Sequence, residues 1–162
     1  MNKATKKIVL VGCFGVGKSS LIRRFVKNIF SDDYKVTIGV NIIKKEITID
    51  NTIYNFIIWD VEGNENIQGI RTSYLTGTSG FLYVVDAAKK NTFVNMNNDI
   101  DYLQMMYPNA KIIKVANKAD LISVDQAESI FREKGLKLDF YTSAKTGENV
   151  NDIFYALGEK MM

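Results

Sequence analysis

The order of apolar and polar positions along the chain predicts alternating strands and helices. Apolar runs typical of buried strands occupy residues 7–11 and 81–85, and further strands are predicted at 111–116 and 136–141. Residues 40–49 and 52–60 also have the pattern of strands, with a tight hairpin turn at Asp50 and Asn51 between them. These segments give six predicted strands.

Helical spacing of apolar residues appears between the strands. A first helix is predicted at residues 20–26, and a second follows residue 92, with Thr92 as its N-cap and Pro108 as its stop. A shorter helix is predicted to begin at a capping-box-like pair, Asp125 and Glu128, and a last helix covers residues 150–157. Polar, irregular stretches at 29–39 and 61–80 predict loops.

This alternation favours an α/β fold with a six-stranded, mostly parallel sheet, one antiparallel edge strand and helices on both faces. A chain of 162 residues is long enough for one substantial core and too short for two ordinary ones, so residues 1–162 are predicted to form a single domain. Ligands of such sheets bind outside the carboxyl ends of the strands.

A glycine-rich sequence, G-x-x-x-x-G-K-S at residues 12–19, lies between the first strand and the first helix. Its glycines allow a tight turn in which backbone N–H groups and the positive end of the helix converge on an anion. Lys18 is expected to reach the outer phosphates of a nucleotide, the Ser19 hydroxyl to ligate Mg²⁺, and Ser20 to touch the inner phosphate. The strand-loop-helix context supports a phosphate-binding P-loop over a chance glycine turn.

The amino-acid composition excludes several kinds of site and reaction. The apolar fraction of 46% and a net charge of +3 are typical of a globular protein that does not seek nucleic acid. The sequence has no histidine, which excludes imidazole acid–base chemistry and HExxH zinc sites. Cys13 is the only cysteine, so no intrachain disulfide can form and a reducing, intracellular setting is expected.

Two further motifs indicate which base is bound. Asn117-Lys118-x-Asp120 follows a predicted strand, where a carboxylate can accept hydrogen bonds from both N1–H and the 2-amino group of guanine. Adenine lacks that pair of donors. Lys118 can lie along the purine face, Asn117 can tie its loop to the P-loop, and residues 142–145 can offer backbone N–H groups to the guanine oxygen. Either motif alone could be an ordinary polar turn, whereas their order and spacing together indicate guanine.

With these motifs the whole chain resembles the Ras superfamily of small GTPases, whose fold is the P-loop NTPase G domain, and most closely its Rab branch. The motifs similar to Rab sequences are residues 17–20, 37–40 and 59–60. The resemblance implies that Phe30 packs against guanine, Tyr34 folds over the phosphates, and Thr37 ligates Mg²⁺ only when a γ-phosphate is present. It also implies that Asp60 holds the metal and that the Gly63 N–H senses the γ-phosphate. Residues 29–39 and 61–75 would then be switches I and II, ordered by GTP and released by hydrolysis.

From the motifs and the resemblance we expect a guanine nucleotide, GTP or GDP, bound with Mg²⁺. The predicted nucleotide contacts are Gly12, Cys13, Phe14, Gly15, Val16, Gly17, Lys18, Ser19, Ser20, Phe30, Tyr34, Thr37, Gly63, Asn117, Lys118, Asp120, Ser143, Ala144 and Lys145. The predicted metal ligands are Ser19, Thr37 and Asp60, and the predicted catalytic residues are Lys18, Gly63 and Asn64. Ile42, Trp59 and Tyr74 fall where Rab proteins carry an apolar effector surface, although core packing is the alternative for all three.

Three departures from the family pattern fall near the expected γ-phosphate. Asn64 replaces the glutamine that orients the attacking water and is one methylene shorter, which is worth about 10²-fold in rate if positioning is its whole contribution. Glu62 replaces a small residue and would bring a like charge to the phosphate unless it turns outward. Phe14 would hinder an inserted activating arginine.

We therefore predict a slow GTPase that acts as a molecular switch for protein effectors, with an exchange factor or activating protein as further partners. The alternative is a pseudo-GTPase adaptor that binds GTP and hardly hydrolyses it, unless Glu62 or Glu65 orders water and restores normal turnover. A P-loop kinase would need a lid, and no insertion could build one.

The sequence has no direct membrane anchor. It has no run of about 18 apolar residues, Asn2 excludes N-myristoylation, and no cysteine near residue 162 could be prenylated. We expect a cytoplasmic protein that reaches membranes only through partners or through a lipidated tail beyond this sequence.

Overall fold

A computed structural model describes residues 2–33, 36–64 and 66–162. Tyr34, the predicted phosphate cover, and Glu65 lie outside the described residues. The strands are β1 (Asn2–Val11), β2 (Val40–Ile49), β3 (Thr52–Val61), β4 (Gly80–Asp86), β5 (Lys111–Asn117) and β6 (Phe140–Tyr141). The helices are α1 (Lys18–Lys27), α2 (Thr72–Leu75), α3 (Met96–Met106), α4 (Val124–Glu133) and α5 (Val150–Lys160), with short 3₁₀ turns at Ile67–Gly69, Lys90–Thr92 and Ala119–Leu121.

The six strands form one sheet in the order β2-β3-β1-β4-β5-β6. Among the described residues, only β2 and β3 pair antiparallel, through a turn whose central residues, Asp50 and Asn51, have the positive φ angles expected of a tight hairpin. All other neighbours are parallel, so the carboxyl ends of β1, β3, β4, β5 and β6 lie at one edge. The predicted α/β architecture is confirmed.

Two apolar clusters cover the two faces of the sheet. On one face α1 and α5 meet through Phe25 and Phe154, whose rings stack with centroids 4.0 Å apart. On the other face Phe131 of α4 packs against Phe93, which lies between the 3₁₀ turn Lys90–Thr92 and α3, and the two rings meet edge to face at 4.9 Å. Strand β4 is buried along its whole length between these clusters, which explains its unbroken apolar sequence.

Three local predictions were wrong. The last strand covers only Phe140–Tyr141 rather than 136–141, because the N–H of Lys114 in β5 donates to the Asp139 side chain, and the N–H of Leu136 donates back to Phe131 at the end of α4. Helix α3 begins at Met96, and Thr92 is buried in a 3₁₀ turn where its hydroxyl binds the backbone of Asp86 and Lys89. Helix α4 is capped by Ser123, which accepts from the N–H of Gln126, instead of by an Asp125–Glu128 pair.

Within the described part of the chain, every helix is too short or too polar to cross a bilayer.

Candidate nucleotide site

The P-loop turns sharply from β1 into α1 at the carboxyl edge of the sheet. Gly17 has φ +99° at the start of α1, and a Cβ there would lie 2.3 Å from Asn117 Nδ2. Gly12 has φ +151°, and a Cβ there would lie 2.3 Å from the carbonyl oxygen of Val84. Glycine is therefore required at both positions by backbone conformation and by close approach.

Lys18 folds back across the P-loop. Its ammonium donates to the carbonyl oxygens of Gly12 and Cys13, at 3.0 Å each, and its side chain is almost fully buried. Burial lowers the pKa of Lys18 to about 8, and the negative charge of Asp60 opposes that shift. A buried cation at the start of a helix that follows a glycine-rich loop is suited to a phosphate, which would stabilise the charged form of the lysine.

Ser19, Thr37 and Asp60 meet beside the P-loop. The Ser19 hydroxyl bonds a carboxylate oxygen of Asp60 and lies 2.7 Å from the hydroxyl of Thr37. The other Asp60 oxygen is buried with no hydrogen-bond partner among the described residues, and burial raises the pKa of this carboxyl. A hard cation would be bound by this set of oxygens, and Mg²⁺ takes one or two carboxylates together with hydroxyls, waters and phosphate oxygens. The residues present therefore fit the metal.

At the opposite end of the site, Asn117 joins three segments. Its amide donates to the carbonyl oxygen of Val16 in the P-loop at 2.9 Å, and its oxygen accepts from the Thr142 hydroxyl at 3.0 Å. Nearby, the Ser143 hydroxyl donates to Asp120 at 2.7 Å. The Asn117-Lys118-x-Asp120 motif, the P-loop and the 142–145 loop are thus held as one unit.

The 142–145 loop is also fastened by a residue that the sequence analysis missed. Arg24 on α1 donates to the carbonyl oxygens of Ala144 and Lys145, at 2.9 and 2.6 Å. The backbone N–H groups of Ser143 and Ala144 already donate to Glu148 O and Asn117 Oδ1. Two of the donors predicted for the guanine oxygen therefore have partners inside the protein.

Lys118 is held by a buried carboxylate. Its backbone has φ +62°, and its ammonium lies 3.3 Å from Oδ2 of Asp86, a residue that is 1% exposed. That oxygen accepts no hydrogen bond from the described residues, so the lysine charge is what compensates it, while Oδ1 accepts from the N–H of Ala88. The ion pair fixes the direction of the lysine stem that is predicted to lie along the purine.

Asp86→Asn is expected to speed GDP release about tenfold, because the amide keeps the bond to Ala88 and removes the charge that orients Lys118. Displacement of a fluorescent GDP analogue by excess GDP measures this rate. Asp101→Asn, on an exposed position of α3, is the matched control. Equal release rates in the two variants would show that Asp86 does not position Lys118.

Switch II approaches the P-loop at Gly63. A Cβ on Gly63 would lie 2.5 Å from the backbone of Phe14 and 2.8 Å from its ring, so only glycine fits. The Phe14 side chain is 52% exposed and stands over this contact. Asn64 donates its backbone N–H to Gly12, but its carboxamide oxygen accepts from the N–H of Asn66 at 3.1 Å. The side chain predicted to orient water is thus engaged within its own loop as an Asx turn.

A cavity of about 320 Å³ connects the P-loop, Gly63 and the Asn117-Lys118-x-Asp120 loop. The predicted residues that line it are Phe14, Gly15, Gly17, Lys18, Ser19, Ser20, Phe30, Thr37, Gly63, Asn117, Lys118, Asp120, Ala144 and Lys145. Gly12, Cys13, Val16 and Ser143 are not among its lining residues, and the bonds described above place Gly12, Val16 and Ser143 as supports. The predicted metal ligand Asp60 and the predicted catalytic residue Asn64 are not among its lining residues either, and Asp60 lines a neighbouring cavity together with Ser19 and Thr37.

The nucleotide cavity is also lined by residues that were not among the predicted nucleotide contacts: Arg23, Ser31, Asp32, Asp33, Val61 and Leu121. Position in the sequence offered a signal for two of them, since Arg23 follows Ser19 by one helical turn and Leu121 directly follows Asp120.

The predicted effector residues lie together at the uncovered side of β2 and β3. Ile42 pairs with Trp59 across the two strands and is 47% exposed. The Trp59 ring lies 6.3 Å from that of Tyr74, and the Lys7 ammonium lies 3.8 Å from its centroid. The indole N–H of Trp59 is buried without a hydrogen-bond partner in the described part of the chain. Trp59 is therefore partly a packed residue, while Ile42 is open to solvent.

Comparison with known proteins agrees with this geometry. A sequence model of the Ras family matches residues 7–162. The chain is 33% identical over 158 residues to the Ras-related protein SEC4 of Saccharomyces cerevisiae, covering 94% of this chain and 73% of that protein.

Proposed function

Since this chain belongs to the Ras family and is a Rab-like small GTPase, we propose that it binds Mg²⁺·GTP, hydrolyses it slowly to GDP and phosphate, and presents switches I and II to protein partners. Lys18 would neutralise the outer phosphates and the Gly63 N–H would contact the γ-phosphate. Guanine would be bound by Asp120 and covered by Lys118 and Phe30. The role of Tyr34 as a cover over the phosphates stays a prediction from the sequence.

The convergence of Thr37 with Ser19 and Asp60 carries this proposal. These side chains come from switch I, α1 and the end of β3, and they surround an uncompensated carboxylate oxygen beside a buried lysine. Ser19, Thr37 and Asp60 would hold Mg²⁺, which would supply positive charge to offset the charge that develops during phosphoryl transfer. Thr37 would report the γ-phosphate to the rest of switch I.

The contacts of Asn64 and Phe14 support slow hydrolysis. The Asn64 carboxamide must leave its bond to Asn66 before it can orient a water, and its short reach then limits the positioning. Phe14 lies against Gly63 with its side chain half exposed, and its bulk would hinder an activating arginine inserted there, as the family resemblance implies. The same two observations support the second candidate, an adaptor that binds GTP and hardly hydrolyses it.

Removal of the metal tests the site. Addition of EDTA to GDP-loaded protein is expected to speed GDP release about tenfold or more, since each 1.4 kcal/mol of lost interaction is a factor of ten. Ser19→Ala should release GDP quickly with or without EDTA, whereas Ser129→Ala, at an exposed position of α4, should behave like the unchanged protein. If EDTA does not change the rate of GDP release from the unchanged protein, the proposed metal site is refuted.

Partner binding is proposed at Ile42, Trp59 and Tyr74, where an exposed apolar side chain adjoins a buried, unsatisfied indole N–H. Effectors, an exchange factor and an activating protein are the partner classes that such a switch requires. We also propose a cytoplasmic setting, supported by the single cysteine of the sequence.

A further inference from the structure

Glu62 and Gly39 are joined by two hydrogen bonds between the switches. The Gly39 N–H donates to a carboxylate oxygen of Glu62 at 3.2 Å, and the Glu62 N–H donates to the Gly39 carbonyl oxygen at 2.9 Å. Gly39 directly precedes β2 and Glu62 directly follows β3, so this pair is the next rung after the Val40–Val61 pair of the ladder. One of the two hydrogen bonds of this pair is therefore accepted by the Glu62 side chain instead of by a backbone carbonyl group.

The same contact turns the Glu62 carboxylate away from the phosphate site. Glu62 is not among the described residues that line the nucleotide cavity. The expected charge repulsion with a γ-phosphate is therefore replaced by a bond to switch I. A small apolar residue at position 62 has no side-chain acceptor and could not make this bond.

Gly39 lies two residues beyond Thr37, the residue predicted to lose its ligand when GTP is hydrolysed. Its φ of +71° is a conformation that glycine adopts without strain and that must be held by its surroundings. Thr37 lines the nucleotide cavity, whereas neither Gly39 nor Glu62 is among its described lining residues. Loss of the γ-phosphate would therefore remove a direct contact of Thr37 and no direct contact of the Gly39–Glu62 pair.

From this geometry we propose that Glu62 is a positioning residue that holds the Gly39 end of switch I against β3 in both the GTP and the GDP state. The proposal rests on the proposed function. Hydrolysis then releases Thr37 while Gly39 stays in place, so the structural difference between the two states is confined to the part of switch I that precedes Gly39. Partners that contact β2 near Ile42 would meet nearly the same surface in both states.

Hydrogen exchange of the Gly39 amide in the GDP·Mg²⁺ protein, followed by NMR, tests the proposal. Glu62→Ala should speed exchange of this amide about tenfold, the effect of losing one charge-assisted hydrogen bond at a half-buried position. Glu62→Gln keeps an oxygen acceptor and should restore much of the protection. Glu46→Ala, an exposed acidic position on β2, should leave Gly39 unchanged.

Equal Gly39 exchange in the unchanged protein and in Glu62→Ala would overturn the proposal, and so would Glu62→Gln exchanging as fast as Glu62→Ala. The GDP content of each sample, measured after denaturation, reports separately on the proposed function. Protein that retains neither GDP nor GTP after loading would refute nucleotide binding, whereas GDP-loaded protein with an unprotected Gly39 would refute only the role of Glu62.

Discussion

Asp120→Asn should lower the affinity for GTP about a thousandfold and shift the preference toward xanthosine triphosphate, because a site built to accept hydrogen bonds discriminates strongly once the acceptor is lost. In the structure Asp120 lines the cavity and one of its oxygens accepts from the Ser143 hydroxyl. The asparagine side chain would present an N–H₂ group to the N1–H and 2-amino donors of guanine. Xanthine has a carbonyl oxygen in place of the 2-amino group, and this oxygen can accept from the N–H₂ group.

Competition of GTP and xanthosine triphosphate against a fluorescent GDP analogue measures this change. Asp125→Asn, on the first turn of α4, removes the same charge at an exposed position and should retain guanine selectivity. If Asp120→Asn selects GTP as strongly as the unchanged protein, the base is not recognised by Asp120.

Asn64→Gln should raise single-turnover GTP hydrolysis by up to about a hundredfold. The additional methylene extends the carboxamide by about 1.5 Å, the distance by which Asn64 falls short of the family's glutamine. A glutamine side chain does not form an Asx turn with the N–H of residue 66. The hydrogen bond that engages the Asn64 carboxamide within its own loop is therefore lost in this variant.

Rapid loading with GTP, followed by quantitation of GDP over time, gives the rate. Asn98→Gln lengthens an exposed asparagine on α3 and should have no effect. An unchanged rate in Asn64→Gln would mean that Asn64 is not what slows hydrolysis. Replacement of Phe14 by a smaller residue would then be the next test.

Motifs that lie within one loop could be predicted from the sequence. The glycines of the P-loop and the Asn117-Lys118-x-Asp120 segment each follow a buried strand, and the parallel sheet brings their strands to one edge. The fold followed from the same alternation, since strand and helix periods are local properties of the chain.

What the sequence left open depends on contacts between distant segments. The sequence left open whether Glu62 faces the phosphate or turns outward, and in the structure its carboxylate binds the Gly39 amide, a contact set by the β2–β3 register. The support that Arg24 gives to the 142–145 loop spans more than a hundred residues and has no local pattern. The Asp86–Lys118 ion pair likewise forms between neighbouring strands that are separate in sequence.

The most direct test of a slowly cycling switch is to identify the nucleotide released from freshly purified, denatured protein and to follow loaded GTP over one turnover. We expect mostly GDP, and measurable hydrolysis at a rate below about 3 × 10⁻⁴ s⁻¹, the intrinsic rate of Ras. Bound GTP that shows no loss at all would instead identify a non-cycling adaptor. Hydrolysis at or above the Ras rate would contradict the roles assigned to Asn64 and Phe14.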